Sequence, residues 1–334
     1  MSKKPITMAD VARLANVSKP TVSRALGGHP NVKPKTREKV LSVAREHGYA
    51  VNRNAKKLRE KYTNTIAVIL DFSSHRRHRI TDPFIFELLA GVSEALSIRK
   101  QDLLLSPPTL SDANSYKELV SGRVVDGFIF LGQGANDAMF NELVKKDVPM
   151  VAWGGNTEGT KYCTVGSDNF LGGFLAGERF VQHNKKNILF VGNTEHIELR
   201  LRREGLEKAL STADYDYTLS ELQGEDFSSN AHYEAMVQLL KSSPAPDAIF
   251  AYSDTAAMAI INALNEHGLE PIRDYLLVGY NDIAQASHFS PRLTTIRQDT
   301  FLAGALLVEK FMAVLNDNSP MSSTIPTELI VRNT

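Results

Sequence analysis

The sequence predicts a small all-α head with a helix-turn-helix arrangement, joined by a short basic connector to a two-lobed α/β body. Three observations predict this. First, charge is divided along the chain. Residues 1–62 hold 15 Lys and Arg against 4 Asp and Glu, a net +11, whereas the remaining 272 residues net −11 and the whole chain is neutral. Second, "MADVARLANVSKPTVSRALGG", residues 8–28, carries small apolar residues at helical spacing on both sides of a short turn. Third, short apolar runs beyond residue 64 alternate with amphipathic stretches, and the pattern occurs twice.

Composition bounds the possibilities. The chain has 334 residues, 43% hydrophobic and 23% charged, which suits two or three globular domains and excludes a disordered or fibrous protein. No apolar run approaches the roughly 18–20 residues that span a bilayer. "MSKKPITMAD" lacks the apolar stretch of a signal peptide. Cys163 is the single cysteine, so an internal disulfide and a cysteine zinc site are excluded and a reducing, cytoplasmic setting is expected. Nine histidines are scattered without metal spacing. Walker A, GxSxG, HExxH and GxGxxG patterns are missing, so neither an enzyme nor a cofactor is expected.

In the head, Thr7 caps a first helix whose apolar face is Met8, Val11, Ala12 and Ala15. Asn16 suits a left-handed turn. Ser18 caps a second helix with Pro20 in its first turn and Val22, Ala25 and Leu26 inward; Gly27 and Gly28 end it. Thr36 is expected to cap a third helix, packed by Val40, Leu41 and Ala44 and closed by Gly48. Lys19, Pro20, Thr21, Ser23 and Arg24 must then largely face outward. A second helix of this kind fits the major groove of DNA. Ser18, Thr21 and Ser23 offer short hydroxyl donors to phosphates, and Arg24 can fork onto guanine O6 and N7. Thr7, Asn31, Lys35, Thr36 and Tyr49 complete the expected DNA-facing set.

Residues 49–64 are polar, basic and thinly hydrophobic. Ala55 and Leu58, spaced i, i+3, give only a narrow apolar stripe, so a helix here is marginal in water by itself. Asn52, Lys56 and Lys57 suit phosphate contacts.

"ITMADVARLANVSKPTVSRALGG", "VKPKTREKV" and "HGYAVNRNAKKLR" together resemble the lactose-repressor/galactose-repressor family of bacterial transcriptional regulators. Asn16 and Val51 stand where that family often has glycine and proline. The resemblance implies a hinge helix in the connector, two copies of which pair in a homodimer and enter the minor groove. Leu58 matches the leucine that wedges between base steps, with Ala55 beside it. It also implies a body like periplasmic sugar-binding proteins.

In that body, strands are expected over 65–70, 102–106, 126–131, 148–153, 187–192, 217–222, 247–253 and 275–280. Helices are expected over 84–99, 112–122, 136–146, 198–210, 229–242 and 255–267. The division expected is head 1–48, connector 49–64 and body 65–334. Lobe 1 would comprise about 65–163 and 293–322, and lobe 2 about 164–292 and 323–334. Ligands of open α/β sheets bind beyond the carboxyl ends of strands. Carboxylates, amides, an arginine and aromatics gather at those ends, a mixture suited to sugar hydroxyls and their apolar C–H faces.

By motif position, the resemblance implies that Asp168, Arg200 and Phe227 contact an effector, with Ser253 and Asn281 at further contact positions and Asp254 and Asp282 as their neighbours. Trp153, the only tryptophan, ends a strand and serves either the site or the core. Phe84 follows "DP" at a helix start and can line the same site. The basic "HRRHR" loop, residues 75–79, is either a solvated loop or a lure for an anionic effector. The expected function is a sequence-specific DNA-binding regulator of a carbohydrate-utilisation operon. It would act on a near-palindromic operator under the control of a sugar or sugar derivative. The alternative is a solute-binding protein without DNA function, which the body alone would fit.

Overall fold

The computed structural model describes residues 6–49, 62–70, 82–106, 112–133, 137–156, 159–212, 216–224, 228–316 and 318–334. The chain divides after Thr63 into two units.

The first unit holds α1 (Met8–Ala15), α2 (Lys19–Leu26) and α3 (Pro34–Glu46). Thr7 and Asp10 form a reciprocal capping box at α1, and these hydrogen bonds from Thr7 hold the Asp10 carboxyl below its usual range. Asn16 ends α1 at φ 53°, the left-handed turn that brings α2 across it. Val11, Ala15, Val22 and Val40 are fully buried and form the small core. Two expectations fail here. α3 begins at Pro34 after a Lys33 cap that makes no side-chain hydrogen bond, so Thr36 lies inside the first turn rather than capping it. Proline suits this first position, because its missing N–H is one the helix would leave unpaired anyway. Leu41 is exposed, and Val43 packs on the core in its place.

The second unit has two six-stranded sheets. The first runs β11 (Ser323–Ile325), β5 (Cys163–Ser167), β4 (Met150–Trp153), β3 (Phe128–Leu131), β1 (Thr65–Leu70), β2 (Asp102–Ser106), all parallel. The second runs β12 (Thr327–Ile330), β10 (Thr295–Gln298), β9 (Leu276–Asn281), β8 (Ala248–Ala251), β6 (Asn187–Val191), β7 (Thr218–Leu222). Only β12 is antiparallel to its neighbour. The apolar runs of β1, β3 and β4 are buried throughout, as parallel strands covered by helices on both faces require. β2 and β7, at the sheet edges, are largely exposed.

Helices α4 (Pro83–Ile98), α5 (Ala113–Ser121), α6 (Asp137–Lys145), α7 (Asn169–Gln182), α8 (Ile197–Ser211), α9 (Ser229–Ser242), α10 (Asp254–Glu266) and α11 (Thr300–Leu315) complete the unit. α11 packs on α4 and on the first sheet. Strand pairing puts the three passages between sheets after Ser167, Gln298 and Ile325, later than the boundaries the sequence suggested. β5 belongs to the first sheet and β10 to the second, because each pairs along its length with a strand of that sheet. Two of the passages are tied together: the Asp168 N–H donates to the Ile325 carbonyl at 3.0 Å, and the Thr327 hydroxyl donates to the Asp168 carbonyl at 3.2 Å.

Candidate DNA-binding and effector sites

On the head, burial of Val22 and Ala25 turns the opposite face of α2 outward. Lys19, Pro20 and Arg24 are exposed, and Thr21 and Ser23 are half-buried. Spacing of i, i+4 sets Ser23 beside Lys19 and Arg24 beside Pro20 on one face. The Ser18 hydroxyl accepts the Thr21 N–H at 3.3 Å and lies 2.8 Å from the Thr21 hydroxyl, so both hydroxyls are engaged in the cap. Arg24 has no hydrogen bond or ion pair with any described residue. Arg37 donates to the carbonyls of Gly28 and His29 at 3.1 and 2.6 Å, fixing the loop that carries the exposed Asn31. Lys35 is exposed on the first turn of α3, while Tyr49 packs against the small core. Asn52, Ala55, Lys56, Lys57 and Leu58 lie outside the described residues, as do Phe227 and the 75–79 loop.

In the body, the carboxyl ends of the two sheets meet along a seam. Glu87 of α4 accepts the N–H of Ala284, which opens a 3-10 turn after β9, at 3.3 Å. Gly155, just past β4, lies so close to α8 that a β-carbon there would come within 2.8 Å of an Ile197 methyl. Phe84 and Trp153 are both 6% exposed, with ring centroids 5.9 Å apart, so Trp153 forms one aromatic wall with Phe84.

The arginine at this seam is Arg202, not Arg200. Arg200 is exposed and reaches Glu204 one turn on, at 3.9 Å. Arg202 is 7% exposed; its Nε donates to the Asn169 side-chain oxygen at 2.8 Å and its Nη1 to the Tyr252 carbonyl at 2.6 Å. Its guanidinium carbon sits 3.5 Å over the Tyr280 ring. The sequence held the signal. Leu199, Arg202, Gly205, Leu206 and Ala209 form one buried helical stripe, and Arg200 lies off it. Asn169, Tyr252 and Tyr280, which hold Arg202, were likewise not singled out.

Asp168 is half-buried and caps α7 by accepting the Leu171 N–H at 2.9 Å. Ser253 caps α10 in the same way through Ala256. The remaining Asp and Asn candidates are structural. Asp254 is wholly buried; it meets the Thr295 hydroxyl and accepts the Ile283 N–H at 2.9 Å. Asp282 is held by Arg297 at 2.8 Å and Arg332 at 2.6 Å. Asn281 accepts from the Gln298 amide at 2.6 Å. Each of these side chains is taken up by its own scaffold around the turn after β9, where Asn281 and Asp282 both have positive φ.

Burial pushes the Asp254 carboxyl up to about 8, against the downward pull of the Thr295 and Ile283 hydrogen bonds. A raised folded value means that the folded state holds this proton more tightly. The group's stabilising contribution is therefore complete below its ordinary value of about 3.8 and falls as pH climbs toward 8. Asp254→Asn, which keeps the acid's donor and acceptor but cannot ionise, should flatten that fall. Melting temperatures of the two proteins should lie closest near pH 4 and diverge toward pH 8 with the variant higher; parallel curves would rule out this titration.

Comparison with known proteins gives these features their setting. Residues 7–52 match the profile described as bacterial regulatory proteins of the lacI family, and residues 178–334 match a periplasmic binding protein-like domain. Catabolite control protein A of Priestia megaterium is 31% identical over 327 residues, covering 96% of each chain. The chain belongs to the LacI family of bacterial regulatory proteins. The HTH-type transcriptional regulator CelR of Thermobifida fusca is also 31% identical, across 98% of this chain and 97% of that one. Among solved structures, the lac repressor dimer bound to operator and the anti-inducer ONPF superposes with a TM-score of 0.85 at 26% identity, covering 99% of each chain. A CelR–cellobiose complex superposes with a TM-score of 0.72 at 29% identity, covering 98% of this chain and 99% of that one. This LacI-family chain is thus a helix-turn-helix transcriptional regulator with a two-lobed body. Among the described residues, no helix is long and apolar enough to cross a membrane, and no cluster of His, Cys, Asp and Glu could hold a metal.

Proposed function

We propose that the chain is a homodimeric cytoplasmic repressor of carbohydrate-utilisation genes, without enzymatic activity, whose grip on a near-palindromic operator is set by a sugar bound at the seam of its body. The exposed face of α2 carries this reading: Lys19, Pro20, Ser23 and Arg24 share a surface, and Arg24 is committed to nothing else in the described chain. One such head reads a half-site, so two heads about a twofold axis supply the affinity. Ala55 and Leu58 would enter the minor groove, with Asn52, Lys56 and Lys57 on phosphates. The CelR–cellobiose complex, the Phe84–Trp153 aromatic wall at the seam and the buried Arg202 support a sugar as effector. By linkage, operator and effector must change each other's affinity by the same factor.

The test is Arg24→Ala on a duplex selected from a random pool by the full-length protein. A fork onto guanine is worth about 1–3 kcal/mol of discrimination. The variant should lose that preference and keep salt-sensitive binding to any duplex. Undiminished preference would contradict the reading.

A further inference from the structure

One charged group at the seam has, among the described residues, a scaffold role for only one of its two oxygens. Asp82 caps α4: its Oδ1 accepts the Phe84 N–H at 3.0 Å. Its other oxygen bonds to none of the described residues, although the side chain is half-buried. Burial raises this carboxyl, against the smaller opposing pulls of the Phe84 N–H hydrogen bond and of the Arg202 guanidinium from the other lobe. No ion pair closes between them. Arg202 in turn spends its bonds on neutral oxygens, those of Asn169 and Tyr252, and is left without a carboxylate at ion-pair distance among the described residues. Two residues along from Asp82, Phe84 forms the aromatic wall with Trp153. A carboxylate from one lobe, a guanidinium from the other and an apolar ring surface therefore converge where the lobes already touch, at Glu87–Ala284 and Gly155–Ile197.

We propose that Asp82 is a specificity-determining residue, one jaw of a clamp with Arg202, that selects an uncharged sugar with adjacent hydroxyls over its sugar-acid or sugar-phosphate counterpart. The proposal rests on the reading of the seam as a sugar site. A hydroxyl pair can donate to the carboxylate while its oxygens accept from the guanidinium, which satisfies both charges at once. An anionic sugar answers Arg202 but sets a second negative charge against Asp82. Because the clamp draws one jaw from each lobe, the same contact couples ligand binding to lobe arrangement.

The experiment uses the full-length protein. Glucose, galactose, maltose, sucrose and cellobiose are screened by thermal shift. The sugar that binds is then compared by calorimetry with its uronic acid and its 6-phosphate. Asp82→Asn and Asp82→Ser both keep a capping oxygen, so both should fold. We expect the neutral sugar to bind the native protein at least about tenfold more tightly than either anion, since hydrogen bonds to charged groups are worth about 1.5–3 kcal/mol. Both variants should weaken the neutral sugar by about tenfold or more and narrow the gap to the anions. An anion binding the native protein more tightly, or variants that melt normally and bind the neutral sugar unchanged, would overturn the clamp. If no sugar binds the native protein at all, the sugar-site reading itself fails and the clamp falls with it.

Discussion

Replacing Arg202 with alanine should abolish the response to effector while leaving operator binding intact. The side chain is buried, hydrogen-bonded to Asn169 and to the Tyr252 carbonyl, and stacked over Tyr280. Its removal deletes the guanidinium of the proposed effector site and leaves the Asn169 oxygen, among the described residues, with a long contact to the Tyr280 hydroxyl at 3.4 Å. Truncating one partner of a buried, hydrogen-bonded charge costs about 2–5 kcal/mol, so effector affinity should fall by at least about thirtyfold. The head, a separate unit, retains its helices and its exposed arginine. Arg200→Ala is the matched control. That side chain is exposed and paired only with Glu204, an i, i+4 contact worth a few tenths of a kcal/mol, so its effector response should be close to native. Titrating effector into each protein on a selected duplex checks both; a responsive Arg202→Ala, or an unresponsive Arg200→Ala, would relocate the pocket.

Gly173→Ala should be among the most damaging small substitutions in the body. α7 and α8 cross at a pair of glycines. A β-carbon on Gly173 would lie 1.8 Å from the Arg202 carbonyl oxygen, and one on Gly205 would lie 1.9 Å from the Phe170 carbonyl oxygen. Both obstacles are backbone, so no side chain can swing away and the helices must separate. Overpacking of this kind costs about 3 kcal/mol at its upper range. The contact atom belongs to Arg202 itself, so separation also moves the guanidinium away from Asn169 and Tyr252. Thermal unfolding should show a melting temperature lower by several degrees, with effector binding weakened further than stability alone explains. An unchanged melting temperature would show that the crossing is looser than these distances imply.

How much of this was legible in the sequence depends on whether a residue's role is local. The capping of α1 by Thr7 and of α2 by Ser18, and the left-handed Asn16, follow from neighbours within four positions, and the structure has them as read. The alternating strands and helices of the body were legible for the same reason. β5, β10, β11, β12 and the helices α7 and α11 were not, because β10, β11 and β12 are only three or four residues long and partly polar, and they, β5 and both helices flank the passages between sheets. The Asp and Asn candidates show the limit most clearly. Asp254, Asn281 and Asp282 sit at strand ends, as ligand contacts do, but Thr295, Gln298, Arg297 and Arg332 arrive from distant sequence to occupy them. Position by motif count likewise favoured Arg200, whereas the buried stripe of α8 selects Arg202. Asp82 is not legible as a site residue because a helix cap explains its residue type, and Arg202, its partner in the proposed clamp, lies far away in sequence.

The most direct measurement of the central claim joins the two sites in one titration. The full-length protein selects duplexes from a random pool, and fluorescence anisotropy follows the preferred duplex while a neutral sugar is added. The account predicts a near-palindromic sequence whose affinity changes about five- to 150-fold on saturation, the usual span of allosteric coupling, and a change that vanishes in Arg202→Ala. A protein that prefers no duplex over the pool, or whose duplex affinity shifts equally with and without the Arg202 side chain, would contradict it.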